Sequence, residues 1–144
     1  MSEKPNPLAL KRPTRTIRVL TLTDSSQPGL EIKMRLRALD ALDINNATAL
    51  ATDLANKYLY GDLPFPAIDG EVPKLNMDIL QGVCAMHVAQ CGNEEDKFTP
   101  EEIIALAVTC PEIWASLVNT MGDLALNSTW GKASGIIQVP AGLS

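Results

Sequence analysis

A chain of 144 residues with a net charge of −5, 46% apolar and only 4% aromatic has the length of one domain and a core of Leu, Ile, Val, Ala and Met. The net negative charge argues against nucleic-acid binding by the whole molecule, and no stretch approaches the roughly 18 apolar residues that span a bilayer. Cys84, Cys91 and Cys110 are an odd number without framework spacing, which argues against a disulfide scaffold and points to a reducing compartment. The first residues lack the apolar run of a secretory signal, so the expected location is cytosolic.

The charge is divided unevenly. Residues 1–37 carry Lys4, Lys11, Arg12, Arg15, Arg18, Lys33, Arg35 and Arg37 against Glu3, Asp24 and Glu31, a net +5. Residues 38–144 carry a net −10. A basic segment joined to an acidic body presents two electrically different surfaces.

In chain order, residues 1–13 contain Pro5, Pro7 and Pro13 and are expected to be a flexible arm. Residues 14–23 are rich in Thr, Ile, Val and Leu, which suits a strand, with Ile17 and Val19 on one face and Leu20 and Leu22 on the other. Asp24-Ser-Ser-Gln-Pro-Gly29 is a turn. Residues 30–37 then alternate: Leu30, Ile32, Met34 and Leu36 face one way, and Glu31, Lys33, Arg35 and Arg37 face the other. The two strands make a β-hairpin, which is marginal by itself and must pack on helices or pair with another chain.

Asp40 caps a helix expected to run to about Tyr60, with Ile44, Ala47, Leu50, Ala51, Leu54, Ala55 and Tyr58 on its apolar face and Gly61 stopping it. Residues 61–73 hold three prolines and form a long loop carrying Leu63, Phe65 and Ile68, either a contact site or a lid folded on the core. Asn76 caps a helix over 77–91, ended by Gly92. Thr99-Pro-Glu-Glu102 is a capping-box start for a helix to about Cys110. Pro111 opens another to about Asn127, with Ile113, Trp114, Leu117, Val118, Met121 and Leu124 on its apolar face. Residues 128–144 are rich in Gly, Ser and Pro, and a flexible tail is expected. The expected fold is α+β: one domain over 14–127, with the hairpin at 14–37 and a body of about four helices at 40–127.

Cys84, His87 and Cys91 share one stripe of a helix, and with Cys110 nearby they could ligate zinc. Leu80 and Val83 lie on the same stripe, so a buried core face is the stronger account. A Cys–His nucleophile pair would need an orienting acid and an oxyanion hole, and no sequence feature supplies either. The acidic groups Asp69-Gly-Glu71 and Glu94-Glu-Asp96 read as solvated turns. The residues expected to contact a partner are Lys33, Arg35 and Arg37, with Arg15 or Arg18 across the ladder, and Leu63, Phe65 and Ile68 of the loop. The basic row serves either as a solvated face that discourages aggregation or as a docking edge for an acidic or extended partner.

The order of parts resembles the tail assembly chaperones of long-tailed bacteriophages. The likeness rests on the hairpin (Thr16-Ile-Arg-Val-Leu and Leu30-Glu-Ile-Lys-Met-Arg-Leu-Arg), on the helix starts Phe98-Thr-Pro-Glu-Glu-Ile-Ile and Cys110-Pro-Glu-Ile-Trp, and on the short tail. The resemblance implies a non-enzymatic protein without cofactors. It would bind the tape-measure protein, keep it soluble and assist assembly of the major tail protein. It would act in the host cytoplasm, stay out of the mature virion, and have scope for self-association. In that family a ribosomal slip (−1 frameshifting) near the gene's end makes a longer product, and Trp130-Gly131-Lys132 is compatible with a slippery sequence. The alternatives are a structural tail-completion or head–tail joining subunit, and, from another class, a small zinc or thiol protein.

Overall fold

The computed structural model describes residues 4, 6–11 and 16–126. The architecture is α+β: an antiparallel hairpin of β1 (Ile17–Thr23) and β2 (Glu31–Arg37), followed by α1 (Ala41–Tyr58), α2 (Met77–Ala89), α3 (Pro100–Thr109) and α4 (Pro111–Leu126). In the arm, Asn6 caps a single turn of 3-10 helix at Pro7–Ala9, and Leu8 and Leu10 are exposed. The expected tail and the Gly131–Lys132 position lie outside the described residues.

The hairpin register runs without a bulge from Ile17 opposite Arg37 to Thr23 opposite Glu31. Period two sorts its side chains as the pattern predicts. Leu22, Ile32, Met34 and Leu36 are buried, whereas Val19, Thr21, Lys33 and Arg35 face outward. Leu30 is the exception: it sits in the turn, before the strand begins, and is exposed. The inner face packs on the body, β1 against α4 and β2 against α2. Beneath it lies the core, with Leu80, Val83, Ile103, Ile113, Leu117 and Leu124 almost fully enclosed.

Three of the four helices begin where local chemistry supplies an acceptor. Asp40 accepts from Asp43 N–H at 2.9 Å, and the Asp43 carboxylate returns to Asp40 N–H at 3.3 Å. Asn76 accepts from Ile79 N–H at 2.9 Å. Thr99 and Glu102 close the capping box at 3.2 and 3.1 Å. At the far end of α1 the chain turns so tightly that a Cβ on Gly61 would lie 2.5 Å from the Asn56 carbonyl oxygen, which is why glycine stops the helix there.

Helix α4 has no acceptor of its own, because Cys110 precedes Pro111. The hairpin turn supplies one from 88 positions away: Asp24 accepts from Glu112 N–H at 2.9 Å, and from Ser26 N–H at 2.8 Å. Glu112 reciprocates, accepting from Ser25 N–H at 2.9 Å and from the Ser25 hydroxyl. The turn and the helix start therefore satisfy each other's orphan groups.

Helix α2 ends two residues before the expected Cys91. Gln90 leaves the helix in an extended conformation and bridges Leu36, and Cys91 N–H donates to the Arg35 carbonyl at 2.9 Å. Strand pairing thus outcompetes the last helical turn. On α4, Val118 is 45% exposed although its spacing places it with the apolar face. The chain bends by 119° between the stretches Glu94–Thr109 and Pro111–Ala125, and no single helix among the described residues is long and apolar enough to cross a membrane.

Two outcomes follow. Leu36→Ala, at a fully enclosed position between hairpin and body, should lower the unfolding free energy measured in urea by about 2–5 kcal/mol. The Ser26 hydroxyl above all, then the Ser26, Glu112 and Ile113 N–H groups, holds the Asp24 carboxyl below its ordinary 3.8. Its contribution to stability is therefore complete above that value and is lost as pH falls through the lower, folded value. Asp24→Asn should lower the thermal midpoint at pH 7, and the gap from the unaltered protein should close in strong acid.

Candidate functional site

The outer face of the hairpin presents exposed side chains from both strands. Side by side on it run two rows: Ile17, Val19, Thr21 and Thr23 from β1, and Arg37, Arg35, Lys33 and Glu31 from β2. Ile17 is 47% exposed and Val19 67%, so apolar groups stand in solvent next to cations. An apolar stripe with a charged border is a surface suited to another polypeptide.

The structure separates the expected contact residues. Lys33 and Arg35 are exposed on this face. Arg37 shares their side of the strand but turns to α1, where its guanidinium meets the buried Asp43 carboxylate at 3.3 Å. Arg18 does not join the row across the ladder. It lies opposite Leu36, on the inner face at the strand's margin, and pairs with Asp123 of α4 at 3.5 Å. Arg15 is outside the described residues.

In the 61–73 loop, Phe65 is buried and meets Tyr58 edge to face, with ring centroids 5.0 Å apart. Ile68 is half-buried against the core and pairs with Glu71 around a two-residue turn in which Asp69 and Gly70 both take positive φ. Leu63 alone of the three is well exposed. The loop is mainly a lid, and the lid reading accounts for Phe65 and Ile68.

The cysteine and histidine stripe is used structurally. Burial, and secondarily the charge of Glu101, pushes the Cys84 thiol up to about 12, so it stays protonated at neutral pH. His87 Nδ1 lies 2.8 Å from the Phe98 carbonyl and must donate to it, which fixes the tautomer. The buried Gln90 amide completes the arrangement, accepting from Phe98 N–H at 2.8 Å and donating to the Phe98 carbonyl at 2.9 Å. Cys110 ends α3. Among the described residues, no three His, Cys, Asp or Glu side chains stand close enough to hold a metal ion. Glu94 lies in a 3-10 turn and pairs with Lys97 at 3.0 Å.

Sequence reasoning missed the Asp24–Glu112 exchange and the Gln90–Phe98 pairing. A signal existed for the first, since a helix opening on Pro-Glu after an apolar residue lacks a cap and needs an outside acceptor. None existed for the second, because a glutamine bonding a distant main chain has no spacing rule.

No protein-family model, curated protein or solved structure matches this chain.

In native protein at pH 8, a thiol reagent should label the half-buried Cys91 first. Cys84 and Cys110 should react only on unfolding. Rapid labelling of Cys84 in the folded state would contradict the buried, protonated thiol.

Proposed function

We propose that this chain is a non-enzymatic binding protein, a tail assembly chaperone of a long-tailed bacteriophage that holds the tape-measure protein soluble while tail-tube subunits assemble around it. The observation that carries the reading is the outer face of the hairpin, where Ile17 and Val19 stand exposed beside Lys33 and Arg35. The likeness of the hairpin and of the helix starts to that family supports it. So does the deployment of the polar side chains: Asp24, Asp43, His87 and Gln90 each satisfy backbone or side-chain groups within the fold. The acidic helical body gives such a complex solubility, and the basic hairpin gives it a contact surface. On this reading the protein works in the host cytoplasm and is absent from finished particles, whereas a tail-completion or joining subunit would be present in them.

Co-expression with the long helical product of the neighbouring gene tests the proposal. The chaperone should move that product from the insoluble to the soluble fraction, and Val19→Glu, at an exposed position, should weaken the effect without altering the fold. An unchanged soluble fraction contradicts the proposal.

A further inference from the structure

The two margins of the hairpin are finished differently. The Ala38 N–H donates to the Thr16 carbonyl at 3.0 Å, which fixes the alternation of the ladder. Residues 18, 20 and 22 bond to β2, so the main-chain groups of Ile17, Val19, Thr21 and Thr23 point away from it. On the β2 side, Gln90 bridges Leu36 and the outward Arg35 carbonyl accepts from Cys91 N–H. On the β1 side, no strand among the described residues pairs with the outward groups. Open edges are ordinarily blunted by proline, a bulge or an outward charge. The outward face of β1 has none of these: its register is continuous and its outward side chains are Ile, Val, Thr and Thr, all β-branched and uncharged. The strand's one charge, Arg18, lies on the inner face and is tied to Asp123. The protective charges sit instead on β2, whose edge is already partly covered.

Cations flank this open edge on both faces. Beneath it, the Arg18 side chain is 42% exposed, with Asp123 as its partner. Above it, Lys33 and Arg35 stand one strand further in, about 5 Å from the β1 row. Their long stems can lie across Thr21 and Val19 and carry the charge to the margin. The opposing charges are Asp123 beneath the edge and Glu31 at the far end of the row above it. A second copy of the hairpin on this edge would bring like charges together. A strand bearing carboxylates would complement them.

The geometry points to strand addition: β1 accepts an extended, acidic segment of a partner polypeptide as a third strand. The segment's main chain bonds to Val19 and Thr21, and its carboxylates, on alternate residues, meet Arg35 and Lys33 on the outer face. The third strand covers Ile17 and Val19 and turns a marginal two-stranded element into a sheet. This deepens the chaperone reading, resting on its claim that the hairpin is the contact surface, and it specifies an extended segment of the client as the recognised form.

The test titrates the full chain with three end-capped nine-residue peptides: Glu alternating with Val or Thr, the same peptide with Lys for Glu, and the Glu peptide N-methylated at alternate positions. The Glu peptide should bind at least about tenfold tighter than either of the others. It should also slow amide exchange at Val19 and Thr21. Thr21→Pro removes only an outward N–H, a place where a strand tolerates proline, and should abolish binding. The double change Lys33→Glu and Arg35→Glu, at exposed positions, should reverse the preference between the Glu and Lys peptides. Absence of binding, indifference to charge, or indifference to N-methylation would overturn the proposal. So would sedimentation showing a dimer lost in Thr21→Pro, because the occupant would then be a second copy. Peptide binding without rescue of the helical client would count against the chaperone reading alone, and rescue without peptide binding would count against the edge alone.

Discussion

The burial of one face of a two-stranded ribbon governs the arrangement of this molecule. Leu22, Ile32, Met34 and Leu36 form that face, and each contributes roughly 1.5–3 kcal/mol when taken from water. Two strands cannot cover these side chains by themselves, so the helical body must. The dependence is mutual. Helix α4 opens without a cap, and the hairpin turn provides one through Asp24 while Glu112 holds the serines of the turn. Hairpin and last helix therefore complete one another, although 88 positions separate the bonded residues.

Once the inner face is committed, Ile17, Val19, Lys33 and Arg35 on the outer face are left exposed. Several buried polar groups hold the architecture together. His87 and Gln90 hold the Phe98 main chain, Asp43 takes Arg37 and closes the first turn of α1, and the Cys84 thiol is kept protonated by its surroundings. On the hairpin's outer surface, exposed Ile17 and Val19 stand beside exposed Lys33 and Arg35. The division of charge along the chain thus becomes a division in space, with a basic ribbon on an acidic base.

Much of this was legible in the sequence because it is local. The alternation from Ile32 to Arg37 identifies the strand and its buried face, and Asp40, Asn76 and Thr99 mark helix starts through bonds that span three residues. The hidden parts depend on distance. Arg37 reads as a member of an exposed row, but Asp43 draws it aside. Arg18 falls on the opposite face because the ladder register places it against Leu36. Phe65 and Leu63 look alike in a proline-rich loop, and only the position of the Tyr58 ring decides which is buried. Helix α2 carries no stop signal at Ala89; a competing strand edge ends it.

Hydrogen exchange of the free protein, resolved residue by residue along β1, tests the central claim most directly. A docked hairpin with an open outer edge predicts alternation, with the Leu20 and Leu22 amides exchanging slowly and the Val19 and Thr21 amides close to the rate of an unstructured chain. Uniformly fast exchange would mean that the hairpin is not held on the body. Equal protection of all four would mean that the edge is already occupied.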